Sequence, residues 1–157
     1  MIYITTSRKP GRRTRSLARD LERILPHSFY RTRGKSNLDS VVDHARSKGY
    51  RRVVILKEYK GNPGKMDFIE VKPDTWEWIP VSLKILGVKL QREFGEKVRN
   101  TDDTIFVEDE VGLSYLFDCE SDDDSVFTFH ISKDVITFYE RDKEIGPRIR
   151  YEVLRWK

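Results

Sequence analysis

Val53-Val54-Ile55-Leu56 is an unbroken apolar run dominated by β-branched residues, and it constrains the fold more than any other stretch. A run this short and this uniformly apolar marks a strand buried on both faces, so a sheet with covering layers above and below is required. The upstream residues supply those layers. Ile2–Thr6 reads as a short buried strand. After the loop Ser7-Arg8-Lys9-Pro10-Gly11, residues 12–25 repeat at helical spacing, with Leu17, Leu21, Ile24 and Leu25 on one side. Pro26 ends that helix. A brief strand at 29–31 follows, and then a second helix capped by Ser36 or Asn37, with Leu38, Val41, Val42 and Ala45 inward and Gly49 as its stop.

Downstream, Gly61-Asn62-Pro63-Gly64 reads as a turn and Met66–Val71 as another strand. The order strand, helix, strand, helix, strand implies an α/β layer with some parallel pairing. In the second half, Trp76–Leu90 is strand-rich, with Val81, Leu83 and Ile85 alternating and Pro80 as an interruption. Val111–Leu116 fits a strand or a short helix equally well. Phe127, Phe129 and Ile131 alternate, then Ile136 and Phe138, then Ile149, Tyr151 and Val153, with turns at 132–134 and around 143–147. That is an antiparallel meander. A chain of 157 residues with 18 aromatics fits one domain with a packed interior, built as a single body or as two small lobes sharing a core.

Charge divides the chain. Residues 1–60 carry 16 Lys/Arg against 5 Asp/Glu, a net of +11, whereas residues 100–157 carry 7 against 15, a net of −8. The overall +4 hides this split, which points to a polyanion-binding first half joined to an acidic second half. The positive excess is concentrated. Arg12, Arg15, Arg19 and Arg23 form a stripe opposite the apolar side of the first helix. An ordinary solvated helix face would mix signs for local pairing. Arg8, Lys9 and Arg13 lie at the same helix's start, where the macrodipole also favours anions. Arg31, Arg33 and Lys35 alternate along an extended segment and are expected to point one way, with Gly34 allowing a close approach or a sharp turn; with this loop beside the helix, the two form one patch of about ten cationic groups. Contact with ~6 phosphates of single-stranded RNA would give a log–log salt slope near −4.

Other chemistries find little support. The acidic run Asp118–Asp124 lacks the ligand alternation, central Gly and closing Glu of a calcium loop and reads as a solvated loop that repels nucleic acid. His27, His44, His130 and the lone Cys119 have no zinc spacing, and no nucleophile or phosphate-loop motif occurs. No cofactor and no enzymatic activity are expected. The opening Met-Ile-Tyr-Ile-Thr-Thr lacks the features of a signal peptide, and no membrane span is present.

Thr5-Thr6-Ser7-Arg8-Lys9-Pro10, followed by Arg13-Thr14-Arg15-Ser16, resembles the start of the Brix domain family of ribosome-biogenesis proteins. Arg33-Gly34-Lys35-Ser36-Asn37-Leu38 is similar to that family's next basic block. Glu144-Ile145-Gly146-Pro147-Arg148, preceded by the strand Ile136-Thr137-Phe138-Tyr139, is similar to its closing motif, so Gly146, Pro147 and Arg148 are expected motif residues. Residues 75–118 depart from the family pattern. The resemblance implies an α/β fold of two pseudo-symmetric lobes, each similar to the anticodon-binding domain of class IIa aminoacyl-tRNA synthetases, with mixed sheets and flanking helices. It implies one domain over 1–157, with a basic lobe at about 1–75 and an acidic, strand-rich lobe at about 76–157. The chain looks like a minimal archaeal form, similar to the family's small-subunit processome member. The implied role is non-enzymatic: binding of rRNA or pre-rRNA during rRNA processing and subunit assembly. Location would be the archaeal cytoplasm, or the nucleolus of a eukaryote. Ribosomal or assembly proteins are further expected partners. The alternative is a protein-interaction module within pre-ribosomal particles with RNA contact secondary; a tRNA-binding role rests on fold analogy alone.

Overall fold

A computed structural model describes residues 1–157. In chain order the strands are β1 (Tyr3–Thr6), β2 (Phe29–Tyr30), β3 (Arg52–Tyr59), β4 (Asn62–Val71), β5 (Trp76–Lys89), β6 (Phe106–Asp109), β7 (Phe127–Ile131), β8 (Val135–Glu140), β9 (Lys143–Glu144) and β10 (Arg148–Arg155). The helices are α1 (Arg12–Ile24) and α2 (Leu38–Ser47), and two single 3₁₀ turns span Gln91–Phe94 and Ser114–Phe117.

All ten strands join one sheet in the order β2-β1-β3-β4-β5-β10-β8-β7-β6, with β9 paired to β8. The pairing senses are symmetrical about the middle. β1 runs parallel to β3 at one end and β6 parallel to β7 at the other, while every pair between them is antiparallel. The order therefore reads the same from both ends once β2 and β9 are set aside.

Alternation along β1 and β3 sorts their residues onto two faces. Ile2, Ile4, Val54 and Leu56 turn to the inner face, where α1 lays Leu17, Leu21 and Ile24. Tyr3, Val53 and Ile55 turn to the outer face under Val41, Val42 and Ala45 of α2. The expected double-sided strand is thus explained by one helix on each side. The inner core is continuous with the second half: Phe127, Phe129, Ile131, Phe138, Ile149 and Tyr151 belong to the same cluster of 27 buried residues. Aromatic contacts run through it from Phe68 to Phe117 at 5.5 Å, to Phe129 at 5.1 Å and to Phe138 at 4.8 Å.

Several local expectations shift. The hairpin turn between β3 and β4 lies at Lys60-Gly61, both at positive φ (49° and 81°), two residues before the expected centre. Positive φ at both central positions gives the twist that antiparallel neighbours need. Asn62 and Pro63 already belong to β4. Pro80 does not interrupt β5: opposite Asp67 and Ile69 of β4, β5 inserts two extra residues between Trp78 and Ser82, and the strand continues through this bulge. Residues 114–117 form a 3₁₀ turn, resolving the strand-or-helix ambiguity. The fold carries α-helices only in its first half. The expected flanking helices of the second lobe are missing, because the β6–β7 connection holds only that turn and the acidic loop.

Candidate nucleic-acid interface

Helix α1 is capped by another element. Its N-cap, Gly11, has no side chain to offer, so Glu58 of β3 accepts from the Gly11 N–H at 2.6 Å and from the Thr14 hydroxyl at 2.9 Å. A Cβ at position 11 would lie 2.7 Å from that carboxylate oxygen, so a larger residue there would push the Glu58 carboxylate out of this position. The carboxylate satisfies the helix start and complements its dipole. With Leu17, Ala18, Leu21 and Ile24 buried, the opposite side of α1 is held toward solvent.

Eight of the ten basic residues singled out in the sequence separate into two groups. Arg8, Lys9, Arg12 and Arg19 are exposed, Arg15 is half-buried, and none of the five takes part in an ion pair. Arg15 and Arg19 lie beside Tyr30 on the edge strand, the Arg19 guanidinium 5.9 Å from the ring centroid. Arg15 makes one long bond, from its Nε to the Gly11 carbonyl at 3.4 Å, whereas Arg13, Arg23 and Arg33 are committed to protein acceptors. Arg13 donates to the Val88 carbonyl at 3.0 Å and to Glu93 at 3.1 Å. Arg23 pairs with Asp20 at 2.9 Å. Arg33 bridges the Ser36 carbonyl at 2.8 Å and the Thr6 carbonyl at 3.1 Å.

Arg33 also corrects the basic loop. Residues 31–35 do not continue as an extended segment with three cations on one side: the chain turns at Gly34 (φ +56°), with the Ser36 N–H bonded to the Arg33 carbonyl. Arg31 and Lys35 remain exposed. Arg31 faces the α2 side, where with Tyr3, Ser40 and His44 it lines a hollow of about 360 Å³. Burial, helped by the charges of Arg31 and Lys48, holds His44 below the ordinary imidazole range, while its Nδ1 lies 2.7 Å from the Tyr3 hydroxyl. The expected single patch is therefore divided at β2, since side chains on an edge strand alternate between the faces.

The poorly legible stretch after β5 clasps α1. Asp20, 3% exposed, accepts from the Gln91 N–H at 2.9 Å through one oxygen and from Arg23 through the other. Its pKa is raised by burial, against the pull of Gln91 and Arg23. The Gln91 side chain donates to Val98 and Gly146 carbonyls and accepts from the Val98 N–H. Asn100 ties the Ile24 and Thr104 carbonyls together. The sequence carries one Gln and three Asn among 56 charged residues, counting Lys, Arg, Asp and Glu. That rarity is the signal that could have marked these amides as structural.

The closing motif serves the same seam. Gly146–Pro147 is a cis peptide, and Arg148 grips Glu144 through two bonds of 2.8 and 2.7 Å. Its guanidinium lies 5.4 Å from the Phe94 ring centroid, with Lys89 4.2 Å from the same centroid. The acidic run is only partly free: Asp118 pairs with Arg51 at 2.7 Å, and the Tyr115 carbonyl just before it receives Arg52.

This fold recurs in known proteins, and the sequence has relatives among them. A probable Brix domain-containing ribosomal biogenesis protein of Methanopyrus kandleri is 31% identical, over 98% of this chain and 94% of that protein. One from Pyrococcus horikoshii is 49% identical over 100 residues, 64% of this chain but only 44% of the relative's length. Among solved structures, a probable ribosomal biogenesis protein from Aeropyrum pernix K1 superposes with a TM-score of 0.79 at 25% identity, covering 96% of this chain and 94% of that one. Mil, an archaeal Imp4-like protein, gives 0.73 at 23% identity over 98% and 99%. No family model matches the chain. With near-complete mutual coverage of the Methanopyrus protein, the chain belongs to the Brix domain-containing ribosomal biogenesis proteins.

Proposed function

We propose that this protein is a non-enzymatic RNA-binding factor of ribosome biogenesis that takes pre-rRNA on α1 during rRNA processing and subunit assembly. One observation carries the reading: Arg8, Lys9, Arg12, Arg15 and Arg19 line a single helix and its lead-in with no carboxylate partner. Like charges held at one-turn spacing repel each other, and a polyphosphate relieves that repulsion while releasing counterions. Arg31 and Lys35 extend the contact around the sheet edge. Arg13, Arg23 and Arg33 serve the fold and position the helix.

Residues 1–157 act in this reading as one domain, the lobe at about 1–75 holding RNA and the lobe at about 76–157 bracing it. The symmetrical strand order supports a likeness of the two lobes to each other, and supports it for the sheets only.

The test is fluorescence anisotropy with labelled pre-rRNA fragments. Arg12→Gln/Arg15→Gln/Arg19→Gln is expected to weaken binding at least tenfold and to flatten the log–log salt slope by about 2, the value for three lost phosphate contacts on single strands. Unchanged affinity in a folded variant overturns the assignment. Hydrolysis of RNA or nucleotide by the pure protein overturns its non-enzymatic part.

A further inference from the structure

Beyond the reach of α2, the outer face of β3, β4, β5 and β10 has no covering element, and its composition is not that of an ordinary solvated sheet. Register places Lys57 opposite Lys65 and Lys65 opposite Lys84, so three lysines cross three strands in one row. Lys60 sits at the hairpin tip, 5.4 Å from the ring centroid of Tyr59, and Arg150 lies over Gly87 on the same face. Two carboxylates oppose these five cations. Asp67 is buried beneath the row, 2.6 Å from Lys57 and 3.6 Å from Lys65, and Glu152 stands opposite Lys84 in register.

Aromatic rings frame the lysines. Tyr59 is 66% exposed and Trp156 40% exposed. Trp156 is locked by its indole N–H on Ser82 at 2.8 Å, and that Ser hydroxyl donates to Asp67 at 2.6 Å. Trp78 packs 5.7 Å from Trp156 and 5.6 Å from Trp76. A cleft of about 920 Å³ runs from the lysine row, where β4 peels away from β5, to Arg13 at the start of α1.

We propose that this sheet face is a second RNA surface, specific for an unpaired segment, with bases stacked on Tyr59 and Trp156 and phosphates on Lys60, Lys65, Lys84 and Arg150. It rests on the RNA-binding reading above and names the form of RNA that reading leaves open. Projecting rings held by a rigid sheet are the platform on which successive unpaired bases stack, while the net positive field tracks the backbone. An A-form duplex hides its base faces and cannot use the rings. Lys57 is excluded from the contact set because its ammonium neutralises Asp67.

All three tryptophans of the chain, Trp76, Trp78 and Trp156, lie in this one cluster, so tryptophan fluorescence, excited apart from the seven tyrosines, reports this surface and its α2 flank. An unstructured RNA of ~12 nucleotides is expected to quench it. Tyr59→Ala/Lys60→Gln/Lys84→Gln, all exposed positions, is expected to weaken single-strand binding by about tenfold and to remove the quench. The Arg12→Gln/Arg15→Gln/Arg19→Gln variant should keep the quench at higher RNA concentration. Duplex RNA of equal length, and polyglutamate as an acidic-protein mimic, should leave the tryptophans unmoved. Fluorescence unchanged at RNA concentrations that saturate the anisotropy of a labelled strand overturns the sheet surface and leaves α1 standing. Equal quenching by duplex or polyglutamate also overturns it. Absence of RNA binding by anisotropy removes both readings together.

Discussion

The two halves of the sheet follow one strand plan, yet they differ in what joins the parallel pair at each end. Between β1 and β3 the chain runs from 7 to 51 and builds α1, β2 and α2. Between β6 and β7 it runs only from 110 to 126 and builds one 3₁₀ turn and the acidic loop. A parallel pair needs a crossover of at least a dozen residues, and the second connection scarcely exceeds that. The strands thus set a common scaffold, while crossover length and composition set the surface. Arginines on a long crossover become a solvent-facing stripe; of the carboxylates on the short one, Asp118 pairs with Arg51 while Glu120, Asp123 and Asp124 stay exposed.

The comparison breaks most visibly if the halves can be uncoupled. Phe117 stands in the aromatic path between Phe68 of the first half and Phe129 of the second. Phe117→Ala is expected to cost about 3–5 kcal/mol and to leave a single urea transition common to tryptophan fluorescence and far-UV dichroism. Two separate transitions would show independent lobes.

Within α1, the comparison sharpens between arginines of one stripe. Arg23→Ala leaves the buried Asp20 carboxylate without its counter-ion and should destabilise by about 1–3 kcal/mol. Arg12→Ala should change stability by less than about 0.5 kcal/mol while lowering RNA affinity. Thermal melts paired with anisotropy check both. Similar losses of stability at the two positions would contradict the division of the stripe.

The short crossover has its own organiser. Burial pushes the Asp109 carboxyl up, but the N–H groups of Ser114, Val111 and Gly112 outweigh it and hold it below the ordinary Asp range. A depressed folded pKa means that the stabilisation is present above the unfolded value and is lost as pH falls through the folded one. Asp109→Asn should therefore cost about 1 kcal/mol near neutrality, and its gap from wild type should close below about pH 4. A gap that widens in acid would refute that account.

Much of this was readable residue by residue. The alternation of Phe127, Phe129 and Ile131 appears as a strand whose burial alternates in the same way, and the spacing of Leu17, Leu21 and Ile24 appears as α1. Both patterns repeat over a few residues, so neighbours in sequence decide them. The seam at Gln91–Asn100 was not readable, because its bonds reach Asp20, Ile24 and Gly146. The separation of Arg12, Arg15 and Arg19 from Arg13 and Arg23 was equally hidden. All five share one helix, and for Arg13 the difference lies in Val88 and Glu93, far along the chain.

By itself the sequence determined both helices and most of the strands, β6, β9 and the two 3₁₀ turns excepted, together with the one-signed stripe and the motif blocks that resemble the family, all properties of short-range periodicity and local composition. Tertiary structure alone decided which cations are free and which are committed. It alone aligned Lys57, Lys65 and Lys84 into one row and gathered Trp76, Trp78 and Trp156 beside it. The reason is physical: a helix brings residues three or four apart together, whereas a sheet joins residues by register, and register is settled only when distant strands bury their apolar faces in a common core.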